Sequence, residues 1–171
     1  MGAAYILLAL WASSALAQES ADKADPMIET LQLTNDYVKA MVTTAADQMS
    51  EDDFAFSPTS ETRSFGQLLT HIAESNYFFC STAKGEEAPQ SADSESMTNR
   101  EDIITMLSSS FDYCDAIYNS AEKINPDTEI EFMGQSRSPL TVLAFRNNHV
   151  LLHYGNVITY MRLRGKVPPS S

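Results

Sequence analysis

Apolar residues recur along the chain at the spacing of one helix face, in four blocks separated by polar stretches. The first block, Ile28, Leu31, Leu33, Tyr37, Val38, Met41 and Val42, follows Asp25-Pro26, an N-cap with proline at the first helical position. The second carries Phe65, Leu68, Leu69, Ile72, Phe78 and Phe79 after Ser64, with Gln67 as capping-box partner and Gly85 as a stop. The third opens at Thr98 with Glu101 three residues on, and runs through Ile103, Ile104, Leu107, Phe111, Cys114, Ile117 and Tyr118. The fourth starts at Ser138-Pro139, carries Leu140 to Met161, and is ended by Gly165 and Pro168-Pro169. Helices are therefore expected near 26–49, 64–84, 99–122 and 139–164. Residues 50–63 read as an aperiodic connector and 86–97 as a polar loop, while Glu129 to Met133 fits either a short strand or a lid. Four long helices without a main sheet predict an all-α protein, a four-helix bundle.

The N-terminal residues fall outside this pattern. Ala3 to Ala12 is a ten-residue apolar run, too short to span a bilayer, and Ala15-Leu16-Ala17 has the A-x-A form of a signal-peptidase site. The expected organisation is a signal peptide over 1–17, a flexible lead-in over 18–25 and one domain over 26–171. This implies an exported protein, periplasmic or secreted, with no stable membrane insertion after signal cleavage.

Charge narrows the partners. The net charge is −12, and all acidic residues lie between Glu19 and Glu131. Five basic residues follow Phe132, too few for a phosphate-binding footprint, so no nucleic-acid partner is expected. A small-molecule substrate and a second copy of the chain are the candidate partners. Cys80 and Cys114 could close a loop of about 34 residues, but only if their helices run parallel and adjacent; buried free thiols are the expectation.

The chemistry is concentrated in three histidines. His149 and His153 stand four residues apart on the last helix, hence on one face, and His71 lies on the second. Three imidazoles on one ion leave an open coordination position, the arrangement of a catalytic zinc site. Spacing by itself leaves open whether His71 joins the pair. Zinc is the default metal, with nickel or iron as alternatives.

The stretches FGQLLTHIAESNYFF and HVLLHYGNVITYMRLRGKVPP resemble the DinB-like superfamily of metal-dependent four-helix-bundle enzymes. The resemblance is dense in Ser64–Tyr77 and His149–Pro169. It implies that His71, His149 and His153 bind one divalent metal ion inside the bundle. Tyr154 stands where the family commonly has arginine, and Asn156 where it has glutamine; the departure leaves the ligands intact, but an anionic substrate is not carried over from relatives. The resemblance also implies metal-dependent thiol transfer, with hydrolysis as an equal candidate. Glu74, three residues after His71, is the candidate general base. Tyr160 reads as a packing residue. The competing reading is an exported stress protein that binds a metal or small ligand without turnover.

Overall fold

The computed structural model describes residues 25–89, 94–121, 124–125 and 127–171, so the expected signal peptide and nearly all of the lead-in lie outside the described residues. Its elements are α1 (Pro26–Gln48), α2 (Glu51–Phe54), α3 (Phe65–Lys84), a 3-10 turn (Ser94–Ser96), α4 (Arg100–Tyr118), β1 (Ile130–Phe132), β2 (Gln135–Arg137) and α5 (Pro139–Leu163). The four long helices match the apolar blocks, and their caps explain why. Asp25 accepts the Met27 N–H, Ser64 and Gln67 form the reciprocal box, and Ser138 accepts the Thr141 N–H. Gly85, at φ 75°, ends α3 in the left-handed conformation that glycine adopts without strain.

Three local expectations change. The cap of α4 is Asn99 rather than Thr98, because the Asn99 carboxamide oxygen reaches the Asp102 N–H at 3.0 Å. The connector after α1 contains the one-turn helix α2, nucleated by a capping box between Ser50 and Asp53. The ambiguous segment after α4 is an antiparallel hairpin that pairs Phe132 with Gln135. Met133 (φ 53°) and Gly134 (φ 72°) both take positive φ in its two-residue loop, as a type I′ turn requires.

Side-chain contacts set the helix directions. Along α3 and α4, Gly66 lies against Ile103, Asn76 bonds Ser110 and Cys80 meets Cys114, so these helices are parallel neighbours. A Cβ on Gly66 would fall 3.0 Å from Ile103 Cδ1 and 3.3 Å from the Phe54 carbonyl oxygen, so a larger residue there would push these neighbours aside by a few tenths of an ångström. Against α5, α3 is antiparallel: Phe79 packs on Phe145, Ser75 on His149, and the Arg63 carbonyl meets Tyr160. At the other side α4 runs antiparallel to α1, where the Arg100 guanidinium donates to the Ala46, Asp47 and Met49 carbonyls and closes the C-terminus of α1.

Parallel adjacency corrects the expectation of free thiols. Cys80 and Cys114 form a disulfide with a Cα–Cα distance of 5.5 Å, fully buried between α3 and α4. Closing a loop across a sequence separation of 34 should stabilise the domain by about 3–4 kcal/mol. The Cys80→Ala/Cys114→Ala double variant is accordingly expected to melt on the order of 10 °C lower, measured by thermal unfolding under non-reducing conditions.

The core has two apolar clusters. One contains Val38, Leu69, Ile72, Phe111 and Val150; the other contains Leu31, Phe79, the disulfide, Tyr118 and Leu143. Between them each long helix contributes a polar side chain: Asn35, Asn76, Ser110, and the pair Arg146 and Asn147, all buried. Leu33, Tyr37 and Phe78 fit the helical period but are exposed, since they sit off the buried stripe.

Near the end of α5, Arg164 Nε bonds Asp53 Oδ1 at 2.5 Å and ties α2 to the bundle. Burial pushes the Asp53 carboxyl up, but the Ser50 N–H and hydroxyl and the Arg164 guanidinium outweigh it and hold it at about 2. A depressed folded-state pKa means stability that is present above the unfolded value of 3.8 and lost as pH falls through about 2. Arg164 is partly open to solvent, so the loss should be on the order of 1–2 kcal/mol. Acid-unfolding curves of Asp53→Asn should lack that component.

Candidate metal centre

The three histidines converge. His71 projects from α3 and His149 and His153 from successive turns of α5, and one ring nitrogen of each lies within 4.8 Å of the other two. His71 Nε2 and His153 Nε2 stand 3.1 Å apart. Ring centroids stand 4.4 Å apart for His149 and His153, 4.7 Å for His71 and His153, and 5.4 Å for His71 and His149. The antiparallel register of α3 and α5 produces this, because the same ladder that pairs Phe79 with Phe145 brings His71 level with the i,i+4 histidine pair.

The rings are held from both sides. His149 Nε2 lies 3.0 Å from Ser75 Oγ, and its ring packs 5.3 Å from the Phe79 centroid. Ser75, four residues after His71, was not singled out from the sequence, although that spacing puts it on the same face. All three rings are half-buried. Burial pushes each pKa down. His71 and His149 add to that effect at His153, as does the Arg63 guanidinium, and His153 falls to about 4. The imidazoles are thus neutral near pH 7, the form that can ligate a metal.

These residues fit a divalent ion. Ligands at 2.0–2.1 Å in a tetrahedral shell stand roughly 3.3 Å apart, close to the separation of the His71 and His153 nitrogens. His153 Nδ1 is buried without a hydrogen-bond partner among the described residues. The nitrogen turned to His71 is Nε2, and neutral imidazole nitrogens are usual partners of zinc, nickel or iron.

Beside the triad lies a cleft of about 250 Å³ lined by Arg63, Gln67, Thr70, His71 and Glu74. Glu74 shares this wall with His71, and its carboxylate accepts the Ser94 hydroxyl. Tyr160 packs against Phe65 and Phe56 and donates its hydroxyl to the Arg63 carbonyl at 2.7 Å. Tyr154 is buried with its hydroxyl on Ser170 Oγ, and Asn156 is exposed. Arg63 gave no sequence signal, since it sits in the connector before the cap of α3.

The chain belongs to the DinB superfamily, which matches it over residues 35–157. Solved structures agree on the fold. A DinB-like protein from Bacillus cereus is 17% identical with a TM-score of 0.71, covering 82% of this chain and 95% of that one. One from Bacillus subtilis is 19% identical with a TM-score of 0.66, covering 81% and 93%. A mycothiol-dependent maleylpyruvate isomerase is also similar, at 14% identity and a TM-score of 0.61, covering 76% of this chain and 60% of that one. No curated protein sequence matches.

Proposed function

We propose that this protein is a metal-dependent enzyme that acts on a small molecule by thiol transfer or hydrolysis. In this reading one divalent ion, zinc by default with nickel or iron as alternatives, is held by His71, His149 and His153. The observation that carries it is the approach of three neutral ring nitrogens, from two helices, to within 4.8 Å of one another. When bound, an ion on three uncharged ligands keeps its full charge and supplies Lewis-acid chemistry, polarising a carbonyl, activating water or holding a thiolate.

The chain's own residues prepare the site. Burial keeps the imidazoles unprotonated, and the Ser75 hydroxyl orients the His149 ring. Glu74 stands on the cleft wall beside His71, positioned by the Ser94 hydroxyl, and takes the role of general base. The fold shared with a mycothiol-dependent isomerase favours the thiol branch. Export to the periplasm or beyond completes the reading. It is supported by the A-x-A site and by the Cys80–Cys114 disulfide, a bond that persists in oxidising compartments.

The test is elemental analysis of protein purified without a histidine tag, beside a variant with all three histidines replaced by alanine. Near-stoichiometric metal in the parent and none in the variant is expected; equal content ends the reading. Metal-loaded protein should then catalyse thiol conjugation of a chloronitrobenzene or cleavage of an activated ester. Glu74→Gln should lower that rate by roughly 10²–10⁴-fold without changing metal content. Metal without turnover of either class would leave a binding protein.

A further inference from the structure

We propose that the cleft beside the histidine triad selects small monocarboxylates, and that Arg63, together with the amide nitrogen of Gln67, holds the carboxylate. The proposal rests on the metal-dependent reading, which supplies the second anchor for the substrate.

Among the described residues, Arg63 is the only cationic side chain lining the cleft. Its backbone is fixed where Tyr160 donates to its carbonyl, but its guanidinium makes no hydrogen bond or ion pair with any described residue. Its side chain is exposed, so its donors are open to a ligand entering the cleft. Arg63 and His71 line the same cleft, which places the charge beside the centre.

The neighbouring groups are sorted by polarity. Gln67 Oε1 accepts the Ser64 N–H at 2.9 Å, which fixes the amide and leaves its Nε2 donors over. Thr70 donates its hydroxyl to the Gln67 carbonyl at 3.1 Å. Donors therefore gather at the Arg63 end, while the carboxylate of Glu74 lies at the triad end beside His71. A planar guanidinium fork with an adjacent amide suits a carboxylate, and Glu74 repels a second one. The volume, about 250 Å³, falls just below the ~300–1,000 Å³ of pockets that take drug-sized ligands, which suits a small acid. The position occupied by Tyr154 therefore does not decide against an anionic substrate: Arg63 approaches the same centre from the connector before α3 instead of from α5.

The experiment compares simple thiols on cobalt-loaded protein, read by the thiolate-to-cobalt absorption band. The probes are 3-mercaptopropionate, 2-mercaptoethanol and 2-mercaptoethylamine. The parent should bind mercaptopropionate about tenfold more tightly, relative to mercaptoethanol, than Arg63→Gln does. Comparing each thiol between the two proteins cancels differences in thiol acidity. Arg63→Lys should recover only part of the preference, because an ammonium cannot form the fork. An unchanged ratio in Arg63→Gln, or tightest binding of the cationic mercaptoethylamine to the parent, overturns the proposal. In a second arm, propionate is titrated into metal-free protein and the backbone amides of Ser64 to Gln67 are followed by NMR. Saturable shifts in the parent that vanish in Arg63→Gln support the carboxylate site, and their absence from the parent overturns it. A protein that takes up no cobalt would sink the metal reading, and the propionate arm would still decide on Arg63.

Discussion

Replacing His153 by alanine is expected to abolish tight metal binding while leaving the bundle folded. The variant keeps His71 and His149, the pair with the widest ring separation of the three, at 5.4 Å. Two imidazoles alone leave the remaining coordination positions to water and hold a divalent ion weakly. The loss should exceed the ~10–100-fold that removing a mere supporting partner costs. Stability should change by no more than about 1 kcal/mol, because His153 is half-buried and its Nδ1 is already unpaired. The core that holds the bundle comes from the two apolar clusters, not from the ion. Metal titration beside far-UV circular dichroism reads both quantities. Asn156→Ala, on the exposed side of the same helix, should bind metal like the parent. If His153→Ala does too, the triad is not the binding site.

Much of this was legible in the sequence, for identifiable reasons. Helix starts are local chemistry, so Asp25-Pro26, Ser64 with Gln67, and Ser138-Pro139 mark three of the four correctly. At the fourth, Thr98 and Asn99 compete for the same role, and only geometry shows that Asn99 reaches the Asp102 N–H. The i,i+4 histidine pair is equally local. That His71 joins it depends on the register between α3 and α5, which the family resemblance implied and the structure places.

What was not legible depends on which helices are neighbours. The disulfide needs α3 and α4 to be both parallel and adjacent, a property of the long connection between them and not of either cysteine's surroundings in sequence. The exposure of Leu33 and Tyr37 has the same origin, since a helical period tells which residues share a face but not how wide the covered stripe is. Arg63 sits in a connector where an arginine is unremarkable until the cleft is seen. Arg146 lies among the apolar residues of the last helix, where periodicity does not single it out, yet it is fully buried.

Arg146→Ala is expected to be the most destabilising single substitution considered for this chain, at about 4 kcal/mol or more. The guanidinium donates from Nε to Asn76 Oδ1 at 2.9 Å, and from one terminal nitrogen to Asn35 Oδ1 at 2.7 Å and Asn147 Oδ1 at 3.0 Å. It lies between the Phe111 and Tyr118 rings, 5.0 and 5.7 Å from their centroids. Burial pushes its pKa down, opposed by the Tyr118 hydroxyl and the Asp115 charge, but guanidinium stays protonated in proteins. Truncation leaves the Asn147 oxygen its bond from Tyr118, whereas the Asn76 and Asn35 oxygens lose the donor from Arg146. Each such buried acceptor costs about 1–3 kcal/mol, and the emptied volume adds a cavity term. Arg146→Lys should recover little, since one ammonium cannot span three amide oxygens fixed on three helices. Urea unfolding measures this as a lower midpoint with an unchanged slope. A loss below about 1 kcal/mol would mean that desolvating the charge cancels its hydrogen bonds. The polar layer would then act to fix the register of the four helices and not to stabilise them, and that register is what brings His71 level with His149 and His153.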